Sequence, residues 1–253
     1  MPNTFVLGTS FSPEYAEYIG KDNAFQMLEI ITSKLGIEDI RLGLRWDVVG
    51  KEKELSLSYY DKYLEYLLKN KCKICLNVGP IKVFRWPEEH IPMYISVKER
   101  ELITPDCEIA KFSYEYLEKL LVLLKDEYGS RLDDVMFQLE NEGYFRFGKL
   151  RLAMSQEYIL GLIEILKRYF PNNRVMVNSA GRKNLKEIVN LFKVIVEKGL
   201  YPPESLVLGF NYYFKIPVIF TIDPLDSFSP FEMSMKRLHR YQKEMGFGLE
   251  ISE

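Results

Sequence analysis

The chain has 253 residues, 47% of them apolar and 14% aromatic, with 34 Lys and Arg against 36 Asp and Glu for a formal net charge of -2. Such a length suits one large α/β barrel, and a single domain over 1–253 is expected. The near-balanced charge offers no basic field of the kind that duplex nucleic acid or an anionic membrane selects, so a neutral partner fits better.

No run approaches the ~18 consecutive apolar residues of a membrane span. The opening "MPNTFVLGTSF" enters an apolar strand without the basic region, long apolar stretch and cleavage site of a leader, so a cytoplasmic location is expected. Three cysteines, Cys72, Cys75 and Cys107, do not make a disulfide framework. Cys72 and Cys75 form a C-x-x-C within the strand-like "KCKICLNVG", but a second Cys/His pair is missing. They read as buried thiols rather than metal ligands, and no cofactor is expected.

In chain order, strand-like runs are "TFVLGTS", "DIRLGLRW", "KICLNVG", "VMFQLEN", "RVMVNSA", "LVLGFNY" and "FGLEISE". Between them lie helical periods: Ala24, Met27, Leu28 and Ile31; Tyr60, Tyr63, Leu64 and Leu67; Leu117, Leu120, Leu121 and Leu124; Ile188, Val189, Phe192 and Val196. Ser155 is placed as a helix N-cap, and Gly199 and Gly246 as helix-ending glycines. This alternation predicts βαβ units and a parallel sheet.

Loop lengths discriminate further. Helix-to-strand links are short, as in "LGIED", "KNKCK" and "FPNNR", whereas strand-to-helix links run long, as in "PIKVFRWPEEHIPMYISVKERELITPD", "EGYFRFGKLRLAM" and "YFKIPVIFTIDPLDSFS". Long loops gathered at strand C-terminal ends are the signature of a (β/α)8 barrel with a working top face. An open dinucleotide-binding sheet lacks its phosphate turn here, since "LGTSFS" is no G-x-G-x-x-G. A barrel needs eight strands, and the chain stops at Glu253, the last residue of the seventh run. The fold class expected is therefore α/β, a (β/α)8 TIM barrel truncated at the end of strand 7, its C-terminal eighth β/α unit missing.

The chemistry concentrates in "DDVMFQLENEGYFRFG". A carboxylate at the end of an apolar strand costs several kcal/mol to bury unless a role or a partner offsets it. By period two, Gln138, Glu140 and Glu142 share one face of the fourth run, and Leu249, Ile251 and Glu253 share one face of the seventh. Glu142 and Glu253 then cap two strands on one rim, and paired carboxylates are the minimum equipment for glycoside hydrolysis. Glu250 has the opposite parity to Glu253 and is its competitor.

With these residues in place, the chain resembles the clan of retaining (β/α)8 glycoside hydrolases that includes cellulases, β-mannanases and β-galactosidases. In that clan an Asn-Glu pair ends strand four and a second Glu ends strand seven. Here these are Asn141 and Glu142 in "ENEG", and Glu253 in "EISE", which is similar to the clan's "ITE". The resemblance implies Glu142 as acid/base and Glu253 as nucleophile, with Arg41 in "DIRLGLRW" steadying the nucleophile and Arg45 as an alternative. A Tyr ending strand six implies Tyr213 in "GFNYYF", with Tyr212 one place off. The segment "RWPEEHIP" resembles the loop after strand three in an uncharacterised bacterial subgroup, which implies Trp86 and His90 near the sugar. Gly143 stands where a Pro commonly follows the Asn-Glu.

The implied activity is double displacement on a β-linked oligosaccharide or polysaccharide, without metal or cofactor. A general acid at neutral pH needs a raised pKa, expected of Glu142 from a poorly solvated pocket and the charge of Glu253. Arg41 and the Tyr213 hydroxyl would keep Glu253 ionised, and Asn141 would meet the sugar 2-OH. Beside this stand plainer readings: Glu140 as a buried partner of Arg41, His239 as an exposed helix residue, and the whole chain as a non-catalytic carbohydrate-binding barrel. A metal-dependent barrel hydrolase would need several His or Asp at strand ends, and His90 and His239 are the only histidines.

Overall fold

The strand and helix periods fold in the order β1 (Gly8–Phe11), α1 (Pro13–Tyr18), α2 (Ala24–Glu29), β2 (Asp39–Gly43), α3 (Trp46–Val49), α4 (Asp61–Lys69), β3 (Lys73–Asn77), β4 (Leu102–Ile103) and α5 (Glu108–Tyr128). There follow β5 (Met136–Gln138), β6 (Ala153–Met154), α6 (Gln156–Tyr169), β7 (Val175–Ala180), α7 (Leu185–Glu197), β8 (Leu206–Asn211), α8 (Pro230–Met245) and β9 (Gly248–Ile251). This computed structural model describes residues 7–20, 23–51, 54–84, 89–180, 185–211 and 230–251.

Seven strands form one parallel sheet in the order β1-β2-β3-β5-β7-β8-β9. Each new strand adds beside the last, so the strand order never reverses as it does at the switch point of a doubly wound sheet. Steady addition with helical crossovers is the winding of a TIM barrel, and the sheet curls accordingly.

Burial divides the strands by parity, as barrel walls require. Ile40, Leu42, Leu76, Phe137, Val175, Val177, Leu206 and Leu208 join the large core beneath the helices. On the other face, Cys75, Met136, Met176 and Val207 form a small separate cluster. One pleat nearer the strand C-termini, that inner face turns polar at Asn77, Gln138 and Asn178, all fully buried. The interior is thus apolar below and hydrogen-bonding above.

The helices bury the stripes their periods predict: Leu117, Leu120, Leu121 and Leu124 of α5 are fully buried, each contributing about 2 kcal/mol of transfer free energy. Ser155 caps α6, its Oγ accepting from Tyr158 N–H at 3.2 Å. Gly199 and Gly246 follow α7 and α8 in the left-handed region, at φ 65° and 81°. His239 lies exposed on α8.

Two expectations change. The long links after β3 and β5 are not structureless, because β4 and β6 pair in parallel, Leu102 with Ala153 and Ile103 with Met154. The run "VMFQLEN" is extended only over Met136–Gln138, because beyond it Glu140 and Glu142 adopt φ of 55° and 50°. Strict period two therefore stops at Gln138.

Candidate active site

Close approach of two strand ends explains that departure. Past β3 the chain runs so near the end of β5 that a Cβ on Gly79 would overlap the backbone nitrogen and Cα of Glu140. Glycine is required there for space. With the backbone turned into the left-handed region, the Glu140 side chain reaches toward the β3 loop and α6. Its carboxylate accepts from Lys82 N–H at 2.5 Å, Ile81 N–H at 3.2 Å and the Tyr158 hydroxyl at 3.0 Å. Asn141 N–H donates to the Lys82 carbonyl at 2.8 Å, and Lys82 Nζ donates to the Phe145 carbonyl at 2.6 Å. Glu140 is thus a pin between loops, which corrects the expectation that it pairs with Arg41. Burial pushes its carboxyl up to about 7, against the opposing pull of the Lys82 and Ile81 amides, the Tyr158 hydroxyl and the Lys82 charge.

Arg41 instead spans the barrel interior. Its Nε donates to Gln138 Oε1 at 2.7 Å, Nη2 to Asn141 Oδ1 at 2.7 Å and Nη1 to Ser10 Oγ at 3.4 Å. Its guanidinium carbon lies 4.4 Å from the centre of the Phe84 ring. The planar fork suits this, since three nitrogens serve β1, β5 and the segment just beyond β5 from one 4% exposed position. Arg45, the alternative, turns to the β1 end, donating to Ser12 Oγ at 3.0 Å and standing 3.6 Å from a Glu14 carboxylate oxygen.

Asn178, near the end of β7, completes the arrangement. Its Nδ2 donates to Asn141 Oδ1 at 2.8 Å, while its Oδ1 accepts from Glu142 N–H at 2.8 Å and Gln138 Nε2 at 3.0 Å. Asn141 Oδ1 therefore takes two donors, one from Arg41 and one from Asn178. Glu142 is 4% exposed. Gly143 has a spatial reason of its own: a Cβ there would sit 3.0 Å from Met154 Sδ and 3.2 Å from Ile159 Cδ1.

The structure thus brings Arg41, Asn141 and Glu142 together through Gln138 and Asn178, the two residues that sequence reasoning did not assign. Polar side chains two places beyond Met136 and Met176 on buried runs were the available signal. His90 is not among the hydrogen-bond partners that join them. It is 2% exposed, with Nδ1 3.6 Å from Asp47 Oδ2 and Nε2 without a partner among the described residues. Glu253, Tyr213 and Trp86 lie outside the described residues.

Glu250, the competitor, sits in register with Gly209, which pairs in turn with Asn178. That parity turns it inward, while Leu249 packs against the helix-side core. Burial raises its pKa, opposed by Arg174 and Arg41 and assisted by Asp39. Among the described residues, no group of three or more His, Cys, Asp or Glu is placed to hold a metal, and no helix is long and apolar enough to cross a membrane.

No protein-family model matches the chain, and no curated protein matches it. Among solved structures it is similar to a GH10 endoxylanase retrieved from a sugarcane soil metagenome, at 15% identity and a TM-score of 0.63, over 98% of this chain and 66% of that one. It is similar also to an intracellular xylanase of Thermoanaerobacterium saccharolyticum, at 14% identity and 0.55, over 100% and 74%. An exo-β-1,4-mannosidase from Opitutaceae bacterium strain TAV5 aligns at 13% identity and 0.56, over 83% and 38%. At these identities the similarity is one of fold: the chain carries the winding of barrel glycoside hydrolases, and spans about two thirds of the length of the first of them.

Proposed function

We propose that this chain, as a single barrel domain over 1–253, is a retaining glycoside hydrolase or transglycosidase of the cellulase, β-mannanase and β-galactosidase clan, acting on β-linked oligosaccharides or polysaccharides. The observation that carries the reading is the 2.7 Å bond from Arg41 on β2 to Asn141 beyond β5, with Asn178 joining Asn141 to the Glu142 backbone. An Arg from β2 and the adjacent Asn and Glu beyond β5 thereby converge at strand C-terminal ends, where barrel enzymes build their sites. The barrel glycoside hydrolases that share the fold support the same class.

In the proposed reaction Glu142 gives its proton to the glycosidic oxygen as a Glu253 carboxylate oxygen attacks the anomeric carbon, and the leaving alcohol departs. Glu142, now ionised, takes a proton from water, whose oxygen displaces Glu253 and frees the sugar. Arg41 holds Glu253 ionised by its charge, Tyr213 donates a hydrogen bond to the same carboxylate, and Asn141 meets the sugar 2-OH. Trp86 and His90 contribute from the loop after β3, as the resemblance to the bacterial subgroup implies. The chemistry calls for neither metal nor cofactor. Glu250 also faces inward, but burial raises its pKa, which works against the ionised form that a nucleophile needs.

A panel of fluorogenic β-glycosides, assayed with the parent, Glu142→Gln and Glu253→Gln, tests this. Turnover by the parent and its loss in both variants supports the assignment. A 2-fluorosugar that forms a glycosyl-enzyme adduct is expected on the peptide holding Glu253. Attachment at Glu250 would move the nucleophile, and binding of glycans with no turnover by the parent would favour the carbohydrate-binding reading.

A further inference from the structure

Glu142 stands four residues past the end of β5 in a backbone conformation that a residue with a side chain rarely adopts, at φ 50°. Such a conformation costs ~1–2 kcal/mol relative to extended or helical backbone, so something must hold it. The sheet does not supply the Glu142 hydrogen bond, because the last ladder-like contact of this segment is Leu139 N–H to the Met176 carbonyl at 3.2 Å. A side chain does: Asn178 Oδ1 takes the Glu142 N–H at 2.8 Å, as a carbonyl of the neighbouring strand would.

We infer that Asn178 is a positioning residue for Glu142, an Asn side chain that replaces the missing strand and aims the acid/base carboxyl. The inference rests on the proposed hydrolase reading and deepens it. Asn178 is fully buried, and its amide can face only one way round. Its Oδ1 receives the Glu142 N–H and Gln138 Nε2, while its Nδ2 is spent on Asn141 Oδ1. Reversing the amide would set a donor against two donors. Gln138 is itself fixed by Arg41 Nε at 2.7 Å. The Glu142 N–H is thereby held by a closed chain of amides and one guanidinium, while its carbonyl accepts from Phe145 N–H at 2.8 Å within its own loop.

Removing Asn178 leaves the Glu142 N–H without that acceptor and lets the backbone relax out of the left-handed region, which displaces the carboxyl. Misplacement by about 1 Å costs on the order of 10²-fold in a proton-transfer step. The loss should fall on glycosides that need acid assistance, since a dinitrophenolate leaves without a proton. Asn178→Ala and Asn178→Asp are assayed on methylumbelliferyl and 2,4-dinitrophenyl glycosides of the sugar that the parent turns over. Circular dichroism and urea titration define the folded fraction. Asp keeps an oxygen for the Glu142 N–H, and its second oxygen meets Asn141 Oδ1 favourably only when protonated, so Asp retains the bond under test should the Ala variant fail to fold.

The expected result for Asn178→Ala is a fall of about 10²-fold in kcat/KM on the methylumbelliferyl substrate, with a loss at least about 10-fold smaller in the first turnover of the dinitrophenyl substrate. Asn178→Asp should lie between Ala and the parent. Equal losses on both leaving groups, per folded molecule, would overturn the positioning role and leave the hydrolase reading standing. A parent inactive on every glycoside would remove both.

Discussion

Glu140 offers the sharpest test of how the loops around the site are held. The change is Glu140→Gln, isosteric and neutral. Oε1 of Gln can take the Lys82 and Ile81 amides. Its Nε2 can donate to the Tyr158 hydroxyl, which lies 2.9 Å from Ser113 Oγ, and Ser113 donates to the Ala110 carbonyl at 2.8 Å. Every group keeps a partner, so only the charge is removed. In the folded chain the carboxyl is raised from 4.5 to about 7 by burial, and at ~1.36 kcal/mol per pH unit the ionised form costs about 3 kcal/mol.

The sign follows from proton binding. The folded state holds the proton more tightly than the unfolded chain, so stability is unaffected by this group below pH 4.5. It falls as pH rises from there to about 7 and is lower by the full amount above. Urea unfolding of parent and variant from pH 4 to 8 should show equal stability near pH 4.5. The variant should be the more stable by about 3 kcal/mol at pH 8, the free energy of the displaced titration. A parent that gains on the variant as pH rises would refute the reasoning, because it would mean that the two amides bind the anion more strongly than burial penalises it.

Tyr158→Phe deletes one donor to the Glu140 anion and should extend the pH-dependent loss beyond pH 7, with a further cost of about 1 kcal/mol for the broken hydrogen bonds; the same urea series reads both. Arg41→Met leaves Gln138 Oε1 buried without its Arg41 donor and takes one of two donors from Asn141 Oδ1, and should lower stability by about 3 kcal/mol in urea titration. Gly79→Ala forces a Cβ into Glu140 backbone and should cost about 3 kcal/mol by thermal unfolding. By contrast Gly36→Ala, at φ 66° with open space around it, should cost about 1 kcal/mol. Burial pushes the Cys75 thiol up to about 12 against Arg41 and Arg174, so iodoacetamide at pH 8 should spare Cys75 in the folded chain and label it in urea; labelling at equal rates would contradict its placement inside the barrel.

Strand order and the helical stripes were legible in the sequence, because local periods of two and 3.6 determine which faces are apolar, and short and long links determine which sheet end carries the loops. "DIRLGLRW" and "ENEG" also marked Arg41, Asn141 and Glu142 as residues out of place in apolar strands. Tertiary structure alone decided how they are held. Period two would have set Gln138, Glu140 and Glu142 on one face. The close passage at Gly79 and the bonds to Lys82 and Ile81 turn Glu140 aside, and no local pattern encodes the proximity of residues about 60 positions apart. Asn178 is the same lesson in reverse: in "RVMVNSA" it is one more strand residue, and only the pairing of β5 with β7 brings its amide to the Glu142 backbone. Sequence chooses the chemistry available to each strand end, whereas the register between strands chooses which of those groups meet.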